Sequence, residues 1–515
     1  MIPRFPSFGS SLARRGPFLA TLLGLSAAAM AAPLRYAEDR APAVVNPLFA
    51  TTMSEARINE LLFESLFTDD LELKSSGALA ASSVLAPDRR SMTIEMRPGV
   101  RWHDGKSVSA KDVVFTIDAM KNPATASSDA GRVLWIKRAV AESDLRVKLE
   151  FEGEEYAPAD KLHFKILPSH KFVSTAVKRT DAFRAAPLGC GPWKFVSFNP
   201  DNSISMQRVE DHYTDPKLEQ VDMREVADKN YQAKLLMYES LEALVRVLPR
   251  DIASLQNDRK IELYPYQTNS WWYLGYNLAQ PRFKDVRVRQ ALHALIDVNQ
   301  LLAPIGTGEV ITGPFVPSSP FYNHDVQMTR PDATQSASLL QQAGYTLVGR
   351  QWMNGTEPLK VRIAAPDNLE TAQDVLINVQ SMLQSYGIAV EPVFLGPADW
   401  RQKIWKDRDF DLVLSQWSFD RNEDIYEQFH SKGTRNFVGY ANPNVDRLLD
   451  EARKGADPQK KKAILREVHA TIAKDEPMVF LWTLDSYSAL STKVKNVVIH
   501  PFYFFTWAEE WSIPS

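Results

Sequence analysis

Apolar and polar residues alternate with a period of two over Ser91–Met96, which predicts a half-buried β-strand. Two turn signals follow, Pro98-Gly99 and Asp104-Gly105; in the second, both residues tolerate positive φ. The period then changes to that of a helix. Ser109 and Asp112 have the spacing of a capping box, with Asp in place of the usual Glu. The helix that they begin directs an apolar stripe inward: Val113, Val114, Ile117 and Met120.

A second region, from residue 359 to residue 417, alternates strands and helices. The predicted elements are a strand over Leu359–Ala365, a helix over Ala372–Tyr386 ended by Gly387, a strand over Ile388–Leu395, a short helix over Ala398–Lys406 and a strand over Phe410–Gln416. Strand–helix–strand order favours parallel pairing, with helices covering the sheet. Further helices are predicted to begin after Asp285, Asp332 and Asp457, because each precedes a helical apolar pattern.

The C-terminal segment Val497–Trp507 is rich in aromatic residues and is predicted to form a strand. It needs a sheet to join, so we expect it to return to a domain built earlier in the chain. At least one domain is then discontinuous. The residues after position 31 exceed what one hydrophobic core normally serves, which favours two or three domains of the α/β class.

Residues 1–31 have the composition of a signal peptide. Their three charges are all arginines, an apolar run covers residues 18–32, and Ala29 and Ala31 place small side chains before a predicted cleavage site. The alternative is a membrane anchor, but an apolar run of about 15 residues is shorter than the roughly 20 that span a bilayer. We therefore expect an exported, periplasmic protein that does not span the membrane.

Composition argues against several functional classes. Cleavage of the predicted signal peptide removes its three arginines and changes the formal net charge from −3 to −6. This mild acidity disfavours nucleic acid as a partner. Cys190 is the only cysteine, so an internal disulfide and a cysteine-based metal site are excluded. No nucleophile elbow, His-Glu-x-x-His or phosphate-binding glycine motif occurs. His163 and His170 are not expected to bind a metal ion, and no cofactor is predicted.

Aromatic residues give the first indication of a ligand site. The candidates are Trp271, Trp272, Trp417, Phe419 and Trp482. Core packing is one interpretation; the other is that several of them line a ligand cleft, where rigid apolar surface binds at a small entropic cost. Asp420 follows a predicted strand at its carboxyl end, the edge at which α/β sheets bind ligands. Its alternative role is that of a surface acid or a partner of Arg421.

A series of motifs occurs in order between Asn46 and Val498. They are Arg97–Val100, His103–Gly105, Ala110–Phe115, Pro187–Trp193, Asn277, Asp285–Leu292, Ala294–Asp297, Ala343–Tyr345 and Tyr440–Pro443. The series resembles the peptide/nickel/opine family (family 5) of extracellular solute-binding proteins, the receptor subunits of bacterial ABC importers. Cys190 and Trp193 depart from the Thr and Tyr that this family usually has.

The resemblance implies a bilobal α/β fold of the periplasmic-binding-protein type, with mixed sheets and an extra small domain. Residues 32–60, 184–275 and 479–515 would form a discontinuous first lobe. Residues 61–183 would form the small domain, and residues 276–478 the other lobe. The chain would cross between lobes near Asn277 and near Phe480, and these crossings would form the hinge.

The resemblance also implies a function: a monomeric receptor, not an enzyme, that captures di- or oligopeptides between its lobes and delivers them to transmembrane permease subunits. In peptide-binding members an Asp after a Gly-Trp pair binds the peptide's α-amino group. Trp417-Ser418-Phe419-Asp420 resembles that spacing, although Gln416 replaces the Gly, so Asp420 is the predicted anchor. Glu55 and Trp482 are placed at the ligand by the same resemblance, and Trp272 by its aromatic character.

Two alternatives remain open at this stage. The same fold binds other ligands in this family, such as a nickel chelate, haem, an opine or a sugar, because the contents of the pocket and not the fold decide the ligand. The alternative from another class is an exported hydrolase that acts on peptides or glycans.

Overall fold

The computed structural model describes residues 32–265, 269–369, 371–419, 423–454 and 457–514. The predicted signal peptide and Asp420 lie outside the described residues. The described residues form two bodies, each built on its own large sheet. The first body comprises residues 32–265 and 487–514, and the second comprises the described residues between 269 and 483.

The strands are β1 Leu34–Glu38, β2 Phe67–Asp69, β3 Ser75–Gly77, β4 Ala80–Leu85, β5 Ser91–Met96, β6 Ile136–Ala141, β7 Arg146–Phe151, β8 Trp193–Phe198, β9 Ile204–Arg208, β10 Gln220–Glu225, β11 Ala243–Leu244, β12 Ile261–Pro265, β13 Asn269–Tyr276, β14 Glu309–Val310, β15 Thr346–Val348, β16 Gln351–Asn354, β17 Glu357–Pro358, β18 Lys360–Pro366, β19 Ala389–Leu395, β20 Leu412–Phe419, β21 Met478–Phe480, β22 Trp482–Thr483 and β23 Tyr487–Ser491.

The helices are α1 Met53–Leu62, α2 Ala110–Lys121, α3 Lys229–Met237, α4 Ile252–Gln256, α5 Pro281–Lys284, α6 Val286–His293, α7 Val298–Leu302, α8 Ala333–Gln342, α9 Ala372–Ser385, α10 Pro397–Asp399, α11 Tyr426–Phe429, α12 Pro443–Arg453 and α13 Pro458–Asp475. A π-helical turn, Trp400–Lys406, continues α10. Among the described helices, none combines the length and the apolar character that crossing a membrane requires.

The first body has a seven-stranded sheet in the order β12-β23-β11-β1-β10-β9-β8. β1 is parallel to β10 and β11, and the other pairs are antiparallel. A smaller antiparallel sheet, β4-β5-β7-β6, packs with α2 in the segment predicted as the extra domain. One apolar cluster contains Tyr36 of the large sheet, Ile94 of the small sheet and Ile117 of α2. The small sheet therefore shares a core with the large sheet.

The second body has a five-stranded mixed sheet in the order β19-β18-β20-β13-β21. β18 is parallel to β19 and β20, as the strand–helix–strand pattern predicts. Successive side chains of β13 enter different cores, because strand residues alternate between the two faces. Trp272 packs with α6 and α9 on one face, and Trp271 packs with α12 and α13 on the other.

Local signals in the sequence correspond closely to these elements. β5 spans the residues predicted for it, and the Asp112 carboxylate accepts the Ser109 backbone N–H at 2.8 Å in the predicted capping box. Asp285, Asp332 and Asp457 cap α6, α8 and α13. Gly387 after α9 has φ +82°, which an L side chain rarely adopts, and a Cβ there would lie 2.3 Å from the carbonyl oxygen of Arg350.

The chain crosses between the two sheets at positions that differ from the predicted crossings. The chain leaves the first sheet at Pro265 and enters the second at Asn269, ahead of the predicted crossing near Asn277. It returns between Thr483 and Tyr487, after the predicted crossing near Phe480. β13 pairs along its whole length with β20, so it belongs to the second sheet.

The prediction of a strand over Val497–Trp507 is wrong. Pro501 has no N–H to donate, and the N–H groups of Phe502 and Tyr503 both donate to His500 Nδ1 at 3.0 Å. These backbone donors are therefore satisfied locally and not by a neighbouring strand. The segment does return to the first body, where Phe504 and Phe505 are buried, and the strand that joins the first sheet is β23.

Candidate functional site

The end of β20 presents an aromatic surface. Trp417 and Phe419 lie on one face of the strand and are both partly exposed. The Trp417 ring stacks on Tyr273 at 6.1 Å between centroids, and the Phe419 ring stacks on Trp271 at 5.9 Å. Tyr273 and Trp271 are almost fully buried, so they hold the two outer rings in fixed orientations. We call Trp417 and Phe419 the aromatic wall.

Ser418 lies between the two wall residues and is exposed on the other face of β20. It pairs with Ser270 of β13 in the antiparallel register. The alternation of side chains along a strand thus separates Ser418 from Trp417 and Phe419. The structure brings these three predicted residues to one strand end but directs them to opposite sides of the sheet.

Trp405 extends the aromatic wall and was not predicted from the sequence. It lies in the π-helical turn Trp400–Lys406, and its ring meets the Trp417 ring edge-on at 6.0 Å. Its side chain is 36% exposed, which is high for a tryptophan that contacts other aromatic rings. π-Helical turns occur often at functional sites. The available signal is a tryptophan in the predicted short helix Ala398–Lys406, but its proximity to Trp417 depends on the π-helical form that this segment adopts.

Charged residues of the two bodies approach each other near the segment that follows the wall. Lys461, on α13 of the second body, has its pKa lowered chiefly by burial, and Asp424 and Glu423 nearby oppose this effect. Asp160 and Lys161 of the first body also act on the same ammonium group. Lys461 is therefore within electrostatic range of both bodies. Glu423 and Asp424 are the first described residues after the end of β20, and the chain length places Glu423 no more than about 14 Å from Phe419.

Asp420 itself lies outside the described residues, as does Arg421, so its predicted pairing with an amine stays a prediction. Of the acids that follow, Asp424 is paired with Arg453, whose Nε and Nη2 lie 2.9 and 2.7 Å from Asp424 Oδ2. Glu423 is 7% exposed.

Trp272 and Trp482 lie together in the core of the second body. Their rings stack at 6.0 Å, and the side chains are 4% and 0% exposed. They belong to the cluster on the face opposite Trp417 and Phe419. In this conformation they support the sheet from its other side, and their predicted contact with a ligand remains a prediction.

Glu55 lies in the first body and takes part in a helix cap. It is the third residue of α1, 2% exposed, and its Oε2 accepts the backbone N–H groups of Thr51 and Thr52 at 2.7 and 3.1 Å. Thr52 completes the capping box by accepting the Glu55 N–H at 3.2 Å. The Glu55 carboxylate is thus already engaged at the start of α1.

Metal-binding chemistry finds little support in the described ranges. They contain no group of three or more His, Cys, Asp or Glu side chains that could hold a metal ion. His170 lies 2.9 Å from Asp104, and His163 contacts Ser75 at 3.0 Å. Cys190 is 1% exposed, and burial raises the pKa of its thiol well above the usual range.

Comparison with known families gives one match. A family model described as bacterial extracellular solute-binding proteins, family 5, middle part, matches residues 74–437. The matched segment includes the motifs Arg97–Val100, His103–Gly105 and Ala110–Phe115, and it includes β20.

Similar proteins include two curated relatives and two solved structures. The chain is 23% identical to the oligopeptide-binding protein AppA of Bacillus subtilis, over 89% of this chain and 88% of AppA. It is 25% identical to the glutathione-binding protein GsiB of Pectobacterium atrosepticum, over 94% of this chain and 96% of GsiB. The structure of B. subtilis AppA with a nonapeptide has a TM-score of 0.80 at 23% identity, covering 94% of this chain and 100% of AppA. The structure of NikZ of Campylobacter jejuni with Ni(L-His) has a TM-score of 0.81 at 24% identity, covering 93% of this chain and 99% of NikZ.

Proposed function

Because the chain belongs to family 5 of the bacterial extracellular solute-binding proteins, we propose that it captures di- or oligopeptides between its two bodies. As the periplasmic receptor of an ABC importer, it would deliver them to the permease subunits. The observation that carries the proposal is the position of the aromatic wall. Trp417 and Phe419 are partly exposed and supported from behind by buried rings, and their strand leads to Glu423 and Asp424, which act on Lys461 together with Asp160 and Lys161 of the first body.

A peptide suits this position for chemical reasons. Rigid aromatic faces bind apolar side chains and peptide planes at a small entropic cost. A carboxylate at the adjoining strand end can bind a free α-amino group, and Asp420 directly follows Phe419. An extended peptide also offers main-chain donors and acceptors to both bodies. Two of the similar proteins are named for peptide ligands, an oligopeptide and glutathione.

Closure follows from differential binding. A ligand shifts an open–closed equilibrium only by the difference between its affinities for the two states. Moving a mostly open population to a mostly closed one requires about 5 kcal/mol of preference for the closed form. Contacts from one body alone are present in both states and supply no preference. The ligand therefore has to contact both bodies.

The test is a binding screen on the chain from residue 32 onward. Native mass spectrometry with peptide pools of two to nine residues identifies a ligand, and titration calorimetry measures its dissociation constant for the free and the N-acetylated peptide. We expect Asp420→Asn to weaken the free-amine peptide on the order of tenfold or more and to leave the acetylated one unchanged. Asp374→Asn, on the exposed face of α9, is the matched control.

Two results would contradict the proposal. One is a screen in which no peptide binds while Ni(L-His), haem, an opine or a sugar does. The other is a peptide whose cleavage is catalysed by the protein and is abolished by a single Ser, His or carboxylate substitution.

A further inference from the structure

The second crossing between the bodies is a short segment with an anchored residue on each side. Leu484 packs against an apolar cluster of the second body, and Tyr487 packs against a cluster of the first body. The carbonyl oxygen of Tyr487 also accepts the backbone N–H of Val247 at 2.7 Å. Asp485 and Ser486 lie between these two anchors. The free length of chain between the bodies is therefore short enough for a single side-chain contact to change it.

Asp485 is held by a loop of the second body. Its Oδ2 accepts the Thr307 hydroxyl at 3.0 Å and the Gly308 backbone N–H at 3.3 Å. Hydrogen bonds to a carboxylate are stronger than those between neutral groups, and two donors on one oxygen fix the direction of the side chain. The Asp485 side chain is exposed, so burial does not hold it in place. We call these two hydrogen bonds the clasp.

The backbone of the loop is shaped for this contact. Gly306 and Gly308 have φ +77° and +113°, values that L side chains rarely adopt. A Cβ on Gly308 would lie 2.4 Å from the carbonyl oxygen of Thr483, so the close approach of the loop to the crossing segment needs a glycine. Directly after the loop, β14 pairs with β22, and Glu309 lies opposite Thr483. The loop therefore runs beside the residues that lead into the crossing.

The clasp determines how much of the crossing can bend. A hinge consists of a few residues whose φ and ψ angles change when two bodies move. Because Leu484 is packed and the Asp485 side chain is bonded to the second body, the rotation has to occur around Ser486. Without the clasp, the backbone of Asp485 joins the hinge. A longer hinge allows more relative orientations, so fixing one of them on a ligand costs more conformational entropy.

We propose that Asp485 is a positioning residue, which restricts the relative motion of the two bodies through the clasp. It acts through Thr307 and Gly308 and not through contact with the ligand. Its effect is on the range of orientations that the bodies sample before a ligand arrives. The consequence for peptide affinity rests on the proposed function, whereas the restriction itself is a property of the ligand-free protein.

Distances between the bodies test this proposal without any ligand. Spin labels are attached to Gln256→Cys in α4 of the first body and to Gln341→Cys in α8 of the second body, both exposed helix positions. The native Cys190 is 1% exposed, so its thiol does not react under the same conditions. Double electron–electron resonance spectroscopy then gives the distribution of distances between the two labels.

Two variants break the clasp by different routes. Asp485→Ala removes the acceptor, and Gly308→Ala displaces the loop because its Cβ has no room beside the crossing segment. Both should widen the distance distribution of the ligand-free protein. Asp485→Asn keeps an oxygen that can accept a hydrogen bond and should widen the distribution less. Glu309→Ala removes an exposed carboxylate directly after the same loop, and as the matched control it should leave the distribution unchanged.

Urea denaturation separates freedom of the hinge from loss of folding. Asp485→Ala and Glu309→Ala should unfold at the same urea concentration, because both side chains are exposed. A distribution that is as narrow in Asp485→Ala as in the wild type overturns the proposal. A widening that occurs only together with a lower urea midpoint in Asp485→Ala than in Glu309→Ala also overturns it.

A peptide from the binding screen adds a second measurement. Titration calorimetry should show that Asp485→Ala weakens the affinity by about fivefold or more, the entropic cost of ordering about one further residue. An unchanged affinity would overturn the positioning role of Asp485 in binding. A screen that finds no peptide, combined with a wider distribution in both clasp variants, overturns the peptide proposal and supports the clasp.

Discussion

Trp271 and Trp417 lie opposite each other on β13 and β20, yet their surroundings differ. Trp271 is 1% exposed and, among the described residues, contacts the rings of Tyr273, Phe419, Phe429 and Phe480. Trp417 is partly exposed, although each of the two tryptophans lies two residues from an end of its strand. The same residue type therefore serves packing at one position and is available to a ligand at the other.

Alanine substitution should separate these roles. Trp271→Ala should lower the free energy of unfolding by about 3–5 kcal/mol, because it leaves a large cavity in the core. Trp417→Ala should cost less stability but weaken peptide binding by about tenfold or more. Urea denaturation and titration calorimetry measure the two effects. An unchanged peptide affinity in Trp417→Ala would show that the aromatic wall is not part of the binding site.

Glu55 should behave as a structural residue. Its carboxylate bonds to backbone N–H groups at the start of α1, so Glu55→Ala should lower the free energy of unfolding by about 1 kcal/mol. The affinity for a peptide should not change. Glu72→Ala, at an exposed ion pair with Lys74, is the control and should have a smaller effect. A loss of affinity in Glu55→Ala without a loss of stability would assign the residue to the ligand instead.

At the scale of helices and strands, the sequence predicts what is determined locally. Helix caps such as Asp285 and the alternation in β5 depend on residues a few positions apart, and the structure confirms them. The strand prediction for Val497–Trp507 is wrong because aromatic content is compatible with both a strand and a packed irregular segment. The contact of Trp405 with Trp417, and the burial of Trp272 against Trp482, depend on tertiary packing that no local pattern encodes.

His469, on α13, makes a pH-dependent contribution to the free energy of unfolding of the protein. Burial, together with nearby His324, lowers the pKa of His469 to about 4, and its ring contacts the Thr312 hydroxyl at 3.1 Å. Between pH 6.5 and 4 the unfolded chain binds a proton that the folded chain does not, so this contribution is complete above pH 6.5 and is lost as the pH falls towards 4.

We expect His469→Gln to flatten the pH dependence of unfolding. The difference in unfolding free energy between the wild type and the variant should shrink by up to about 3 kcal/mol from pH 6.5 to pH 4. Urea denaturation at a series of pH values measures it. A difference that is constant across this range would show that His469 does not titrate as the structure implies.

At the scale of the whole molecule, the arrangement of the hydrophobic cores indicates which segments of the chain move together as one unit. The small sheet and the large sheet of the first body share one apolar cluster, so residues 61–183 should move with that body. The second body has its own clusters on both faces of its sheet. The chain passes between the bodies twice, at 265–269 and 483–487, which is the connectivity expected of a hinge.

Small-angle X-ray scattering of the chain from residue 32 onward, with and without a saturating peptide from the screen, tests the central claim most directly. A receptor that closes on a ligand held by both bodies should show a smaller radius of gyration when the peptide is bound. Scattering that is identical in the two states, at a peptide concentration at which calorimetry shows full occupancy, would contradict capture between two moving bodies.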